Sequence, residues 1–167
     1  MPFTPFHFGP AFLIGIRFVG HINMAAILLA SVALDIEPIY CLATDSCAPH
    51  GILHSYVGAS MLSMSVIPII HFAKKPLKRL SDALGVKQGY SIKSIVIGSI
   101  VGAWSHVFLD SFLYSDLSPF WPVSNRNPVV GLLSSDTVYV ITIIGFVAGA
   151  AAYFLKLKGT LKAEKAE

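Results

Sequence analysis

The chain has 167 residues, of which 54% are hydrophobic and only 13% charged, against about 25% charged in an average soluble domain. This balance excludes a disordered protein, a coiled coil and a nucleic-acid binder, because the formal net charge of +3 comes from scattered and terminal lysines. A membrane-spanning helix takes roughly 20 residues, so four spans with short loops nearly exhaust the chain and leave no room for a separate soluble catalytic domain.

In chain order, Met1 to Pro10 holds three prolines and no basic residue, so no signal peptide is expected. The first apolar region, residues 11–34, is long enough to cross a bilayer but carries Arg17, Gly20, His21 and Asn23 near its middle. A charge there is expensive. Two short helices bent at Gly20-His21-Ile22-Asn23, forming a shallow or re-entrant hairpin, fit better than a straight fourth span. In the hairpin His7 and Asp35 emerge on one side; in a straight span the membrane separates them.

Residues 35–51 form an expected loop in which Pro38 ends the preceding helix. Cys41 and Cys47 fall within it, as a free pair or a loop-bracing disulfide in preference to a metal site. Three apolar runs, 52–73, 92–114 and 137–155, each match a full crossing. The whole is expected to be an all-α, polytopic membrane bundle with a single integral membrane domain over residues 1–157. A solvated basic tail follows at 158–167. Ten of the twelve bases lie in the loop around 74–93 or in the C-terminal stretch 156–165, so both segments are expected to be cytoplasmic in an inner or plasma membrane. Gly145 and Gly149 in the last span permit close helix contact, within the chain or between copies, and leave the oligomeric state open.

The scarce polar groups collect at the opposite, outward end. His50 and His54 stand four residues apart at the start of the second span, which on a helix puts both imidazoles on one face. His106 and Asp110 repeat the spacing at the end of the third, and Asp35-Ile36-Glu37-Pro38 adds two carboxylates. Imidazole and carboxylate are suitable ligands for zinc, and also for manganese or iron. Three or four of them with an open position leave room for a water that a divalent metal activates against an ester. His21 and His71 are expected to be packing residues, and Asp45, Asp116 and Asp136 loop acids or helix caps. Ser55 and Ser105 flank the histidines and are candidates to orient them. In the stiff segment 119–128, Trp121 suits the membrane interface. Arg126 either clamps a phosphate or carboxylate of a substrate or pairs with Asp116 or Asp136.

At these residues the sequence resembles the membrane-bound metal-dependent hydrolases of bacteria and archaea. The shared order is an early His7, Asp35-Ile36-Glu37-Pro38, His50-Gly51-Ile52-Leu53-His54-Ser55, Ser105-His106 with Asp110, and Phe120-Trp121-Pro122, spread over residues 1 to about 130. Members commonly show Asp-x-Asp-His-Pro and His-Arg-Gly-x-Thr-His-Ser, so here Glu37 replaces an Asp, Pro38 follows it directly, and Gly51 follows His50 directly. The resemblance implies His7, Asp35, Glu37, His50, His54, His106 and Asp110 as metal or catalytic residues. Asp35 and Glu37 are the candidate bases, and Arg126 and Trp121 the candidate substrate contacts. The expected activity is hydrolysis of an ester or phosphoester of a lipid or amphiphile. The alternatives are a metal-ion or proton transporter and a structural membrane protein in which these groups only brace the bundle.

Overall fold

The computed structural model describes residues 6–47 and 49–164, with side chains to residue 159. Seven α-helices are present among the described residues: α1 Phe8–Arg17, α2 Met24–Ala33, α3 Ile36–Thr44, α4 Tyr56–Phe72, α5 Lys74–Ala83, α6 Ile92–Ser111 and α7 Ser135–Glu164. Three stretches are long and apolar enough to cross a membrane: Met24–Thr44, Ile92–Ser111 and Ser135–Gly159. Helix α4, at 17 residues, is near the lower end of what a bilayer needs. The all-α membrane bundle is thus observed.

The N-terminal region is a hairpin, and a deep one. Its legs are α1 and α2, and its turn is closed by Asn23, whose side chain caps α2 by accepting from Ala26 N at 3.0 Å. The same amide donates to Gly89 O at 2.9 Å, and the Asn23 backbone N–H donates to Ser94 O at 3.0 Å. Asn23 is therefore fully buried yet satisfied, whereas an unbonded amide there costs about 1–3 kcal/mol. Ser94 lies at the start of α6, twelve residues or about 18 Å from His106, so the hairpin tip reaches the far end of the bundle. The hairpin is deeper than the shallow one expected, and it keeps Arg17 out of mid-membrane: Arg17 sits exposed at this tip, beside the segment that carries Lys87 and Lys93. His21 is also exposed there and is no packing residue, whereas His71 is partly buried with its ring edge-on to Phe72.

Small residues let the hairpin enter. Helix α2 packs most extensively on α6, and α1 on α7. Gly98 and Gly102 of α6 face the α2 backbone, and a Cβ on Gly102 would collide with the Ile27 carbonyl. Gly145 and Gly149 of α7 take α1 in the same way, a Cβ on Gly149 falling 3.1 Å from Leu13 N. The small-residue stripe of the last span is used inside the chain. Two apolar cores result, one of Ala26, Ala30, Leu34, Ala59 and Val66 with α6, the other of Ala11, Ile16, Ile22 and Ile27.

Several boundaries differ from expectation for local reasons. Pro38 does not end a helix; it stands in the first turn of α3, where its missing N–H is no loss, and α2 and α3 run nearly continuously. Cys41 and Cys47 form a disulfide just beyond. Helix α4 begins at Tyr56, later than residue 52, because Ser55 is extended and caps it by accepting from Gly58 N at 3.0 Å. His54 consequently lies in a 3-10 turn, Ile52–His54, ahead of the helix. Helix α6 stops at Ser111, short of 114, and α7 runs helical to Glu164, so the expected tail from 158 is helical where it is described. The side chains of Lys162 and Lys165 lie outside the described residues.

Candidate metal centre

Four separate pieces of chain meet at the end of the bundle away from the hairpin tip. The residue before α1 brings His7, the α2–α3 junction brings Asp35, the turn before α4 brings His54, and the last turns of α6 bring His106 and Asp110. One ligand atom from each of His54, His106 and Asp110 lies within 4.8 Å of the others, and so do those of His7, Asp35 and His106. His106 belongs to both groups. The closest approaches are His106 Nε2 to Asp110 Oδ2 at 3.1 Å, His7 Nε2 to Asp110 Oδ1 at 3.4 Å, and His106 Nε2 to Asp35 Oδ1 at 3.8 Å. A tetrahedral ion with bonds of about 2.1 Å holds neighbouring donors about 3.4 Å apart, close to the spacings around Asp110, while His7 and His54 fall in different groups that share His106.

The imidazoles are held so that their remaining nitrogens face one another. His106 Nδ1 donates to the Ser31 carbonyl of α2 at 2.7 Å, which leaves Nε2 as the lone-pair nitrogen at the cluster. His54 Nδ1 donates to Glu37 Oε2 at 2.9 Å in the same manner. Both Nε2 atoms are buried without a hydrogen-bond partner, as are both nitrogens of His7. A carboxylate or carbonyl behind a histidine is the arrangement that orients metal-binding imidazoles. The His7 ring stacks on His106 with centroids 3.8 Å apart. Burial, and next the neighbouring His106, hold the His7 imidazole neutral, its pKa pushed down to about 3. The cluster thus offers inward-facing imidazole nitrogens and two carboxylates. Among the described residues the groups at ion-pair distance from Asp110 are imidazoles only. A buried negative charge without a cation is costly, and a divalent ion would offset it.

The other sequence candidates take outer positions. Glu37 stands behind His54. Gly51 makes room for it, since a Cβ there would strike the Glu37 carboxylate. His50 belongs to neither ligand group: its Nδ1 contacts Asp116 Oδ2 at 2.9 Å, and its ring lies 4.1 Å from that of Tyr114 and edge-on to His54. Asp116, expected as a solvated acid or cap, therefore positions His50. Burial, and next the Asp110 carboxylate, raise the Tyr114 pKa above its ordinary value. Ser55 and Ser105 do not orient the histidines; Ser55 caps α4, and Ser105 Oγ donates to Gly102 O at 2.8 Å. Asp45 and Asp136 are exposed at helix ends, as expected.

Asn127 clamps the 119–128 segment over this end, donating to Ser111 O at 2.8 Å and Tyr114 O at 2.9 Å. Trp121 is half-buried in a groove that Tyr56, Val57 and Phe120 also line. Arg126 is exposed, and the pairing with Asp116 or Asp136 is not made. Sequence reasoning did not single out Ser31, whose contribution is a carbonyl that carries no residue-type signal. A second groove, of about 400 Å³, runs between α2–α3 and α4; Leu29, Val32, Ile39 and Val66 line it, and Asp35 stands at its wall.

Comparison with curated proteins and with solved structures finds no match. A family model covers residues 6–164, all of the described residues and so every residue of the cluster, and by that match the chain belongs to the YdjM inner membrane protein family.

Proposed function

We propose that the chain is a metal-dependent hydrolase that cleaves an ester or phosphoester of a lipid or amphiphile, with zinc as its metal. The observation that carries this is the convergence of His7, His54, His106, Asp35 and Asp110 with their partnerless nitrogens turned inward. When bound, zinc supplies a Lewis acid that polarises the substrate oxygen and activates a water. His54, His106 and Asp110, whose ligand atoms form one group, are the proposed ligands, and His7 stands beside them in a second group with His106 and Asp35. Asp35 is the less buried of the two site carboxylates and also lines the apolar groove, so it is placed to take the proton of the attacking water as an amphiphile approaches from that side. Glu37 keeps the His54 ring in its binding tautomer, and Arg126, exposed and in no ion pair among the described residues, is available to an anionic head group.

The site faces outward and the basic end inward in this proposal. In support, lysines and Arg17 gather at the hairpin-tip end, and a disulfide, which persists in oxidising compartments, closes the end of α3 beyond the cluster. The test is turnover of lipid esters and phosphoesters by purified protein in mild detergent with added zinc. Hydrolysis that stops on chelation, returns with zinc, and is absent in His54→Ala and Asp35→Asn supports the proposal. Zinc uptake into liposomes without hydrolysis would replace it with transport.

A further inference from the structure

At the opposite end of the bundle, α4 and α5 meet at 76° with one residue between them. If α4 crosses the membrane, α5 lies close to its plane. The sequence of α5 is two-faced. Leu77, Leu80 and Leu84, spaced i, i+3 and i+7, share one face, while Lys74, Lys75, Lys78 and Arg79 occupy the other. Such a basic amphipathic helix is the form that lies in an interface.

Two further observations say what covers it. Beneath the leucines is a cavity of about 320 Å³, walled also by Phe12, Leu28 and Tyr153, a volume at the small end of ligand-binding sites. Its wall is almost entirely apolar. Around it the charge is one-sided: Arg17 at the hairpin tip and Lys87 are exposed at this end, and the acid of α5, Asp82, is engaged by Lys78 at 2.9 Å. Lys74, Lys75 and Arg79 are exposed, with no ion pair among the described residues. An apolar slot under one face of the helix, with cations on the other face that make no ion pair among the described residues, is complementary to an acyl chain joined to an anion at the membrane surface.

We propose that this end of the chain binds an anionic phospholipid, with an acyl chain in the cavity beneath α5 and the phosphate at Lys74, Lys75 and Arg79. The binding is independent of any hydrolysis at the other end. It is tested with the full chain in detergent, offered phosphatidylglycerol or phosphatidylcholine of identical acyl chains, with retained lipid counted by native mass spectrometry. Phosphatidylglycerol is expected to be retained in preference. The triple variant Lys74→Gln, Lys75→Gln, Arg79→Gln should weaken its retention by on the order of a hundredfold, since each base near an anionic head group contributes several-fold, without lowering the melting temperature. Leu80→Trp, which fills the slot, should reduce retention of both lipids. Equal retention of the two lipids, an unchanged preference in the triple variant, competition by inorganic phosphate, or full retention by Leu80→Trp would each overturn the proposal.

Discussion

Glu37 provides the sharpest test of how the centre is built. Its carboxylate touches His54 Nδ1 at 2.9 Å, and the His54 side chain is fully buried. Glu37→Ala leaves that N–H without an acceptor and frees the ring to turn, a perturbation of about 1–3 kcal/mol for a buried polar group. Loss of such a supporting partner weakens metal binding about 10–100-fold, or roughly 1.4–2.8 kcal/mol at 1.4 kcal/mol per decade. Glu37→Gln keeps an acceptor oxygen but removes its charge. Because charge-assisted bonds are about twice as strong as neutral ones, the loss should be about half in free energy, or roughly 3–10-fold. His54→Ala removes a proposed ligand and should exceed both. The assay is competition for zinc between the purified protein and a chromophoric chelator, with melting temperatures measured alongside. Zinc binding in Glu37→Ala equal to that of the unmodified chain would refute the supporting role; loss in Glu37→Gln as complete as in His54→Ala would make Glu37 a ligand.

Other substitutions probe the scaffold and its direction. Gly102→Leu drives a side chain into the Ile27 carbonyl and should destabilise the protein by about 1–3 kcal/mol or more, read as a lower melting temperature in detergent; an unchanged melting temperature would contradict the close α2–α6 contact. Arg126→Ala should leave stability within about 0.5 kcal/mol, as for an exposed side chain with no ion pair among the described residues, while raising KM for anionic substrates. A fluorescent reporter fused after Glu167 should fluoresce in the cytoplasm and an alkaline phosphatase reporter there should stay inactive; the reverse pattern would invert the proposed orientation.

Much of the architecture is written in one-dimensional features. Apolar runs of bilayer length survive as α6, α7 and α4, because in lipid a chain satisfies its backbone only as a helix. The polar break at Gly20 to Asn23 is a turn because Asn23 caps the next helix. What escaped is what depends on a distant partner. The depth of the hairpin shows only once Asn23 is seen bonded to Gly89 and Ser94, which carries the tip, with Arg17, to the basic end. His50 and His54 look like a helical pair, yet Ser55 ahead of Tyr56 is the N-cap signal that starts the helix after them. Spacing names the imidazoles; it does not say that Asp116 takes His50 and Glu37 takes His54, since those pairings span 66 and 17 residues. His7, Asp35, His54, His106 and Asp110 meet because the hairpin is deep, and Gly98 and Gly102 of α6 decide that.

The central claim is that these five residues form a metal site, and the most direct measurement is elemental analysis of protein purified in mild detergent without added metal. The account predicts close to one zinc per chain and its loss in His106→Ala while the helical circular dichroism persists. A metal-free protein that stays folded and takes up no ion at saturating zinc, manganese or iron would contradict it.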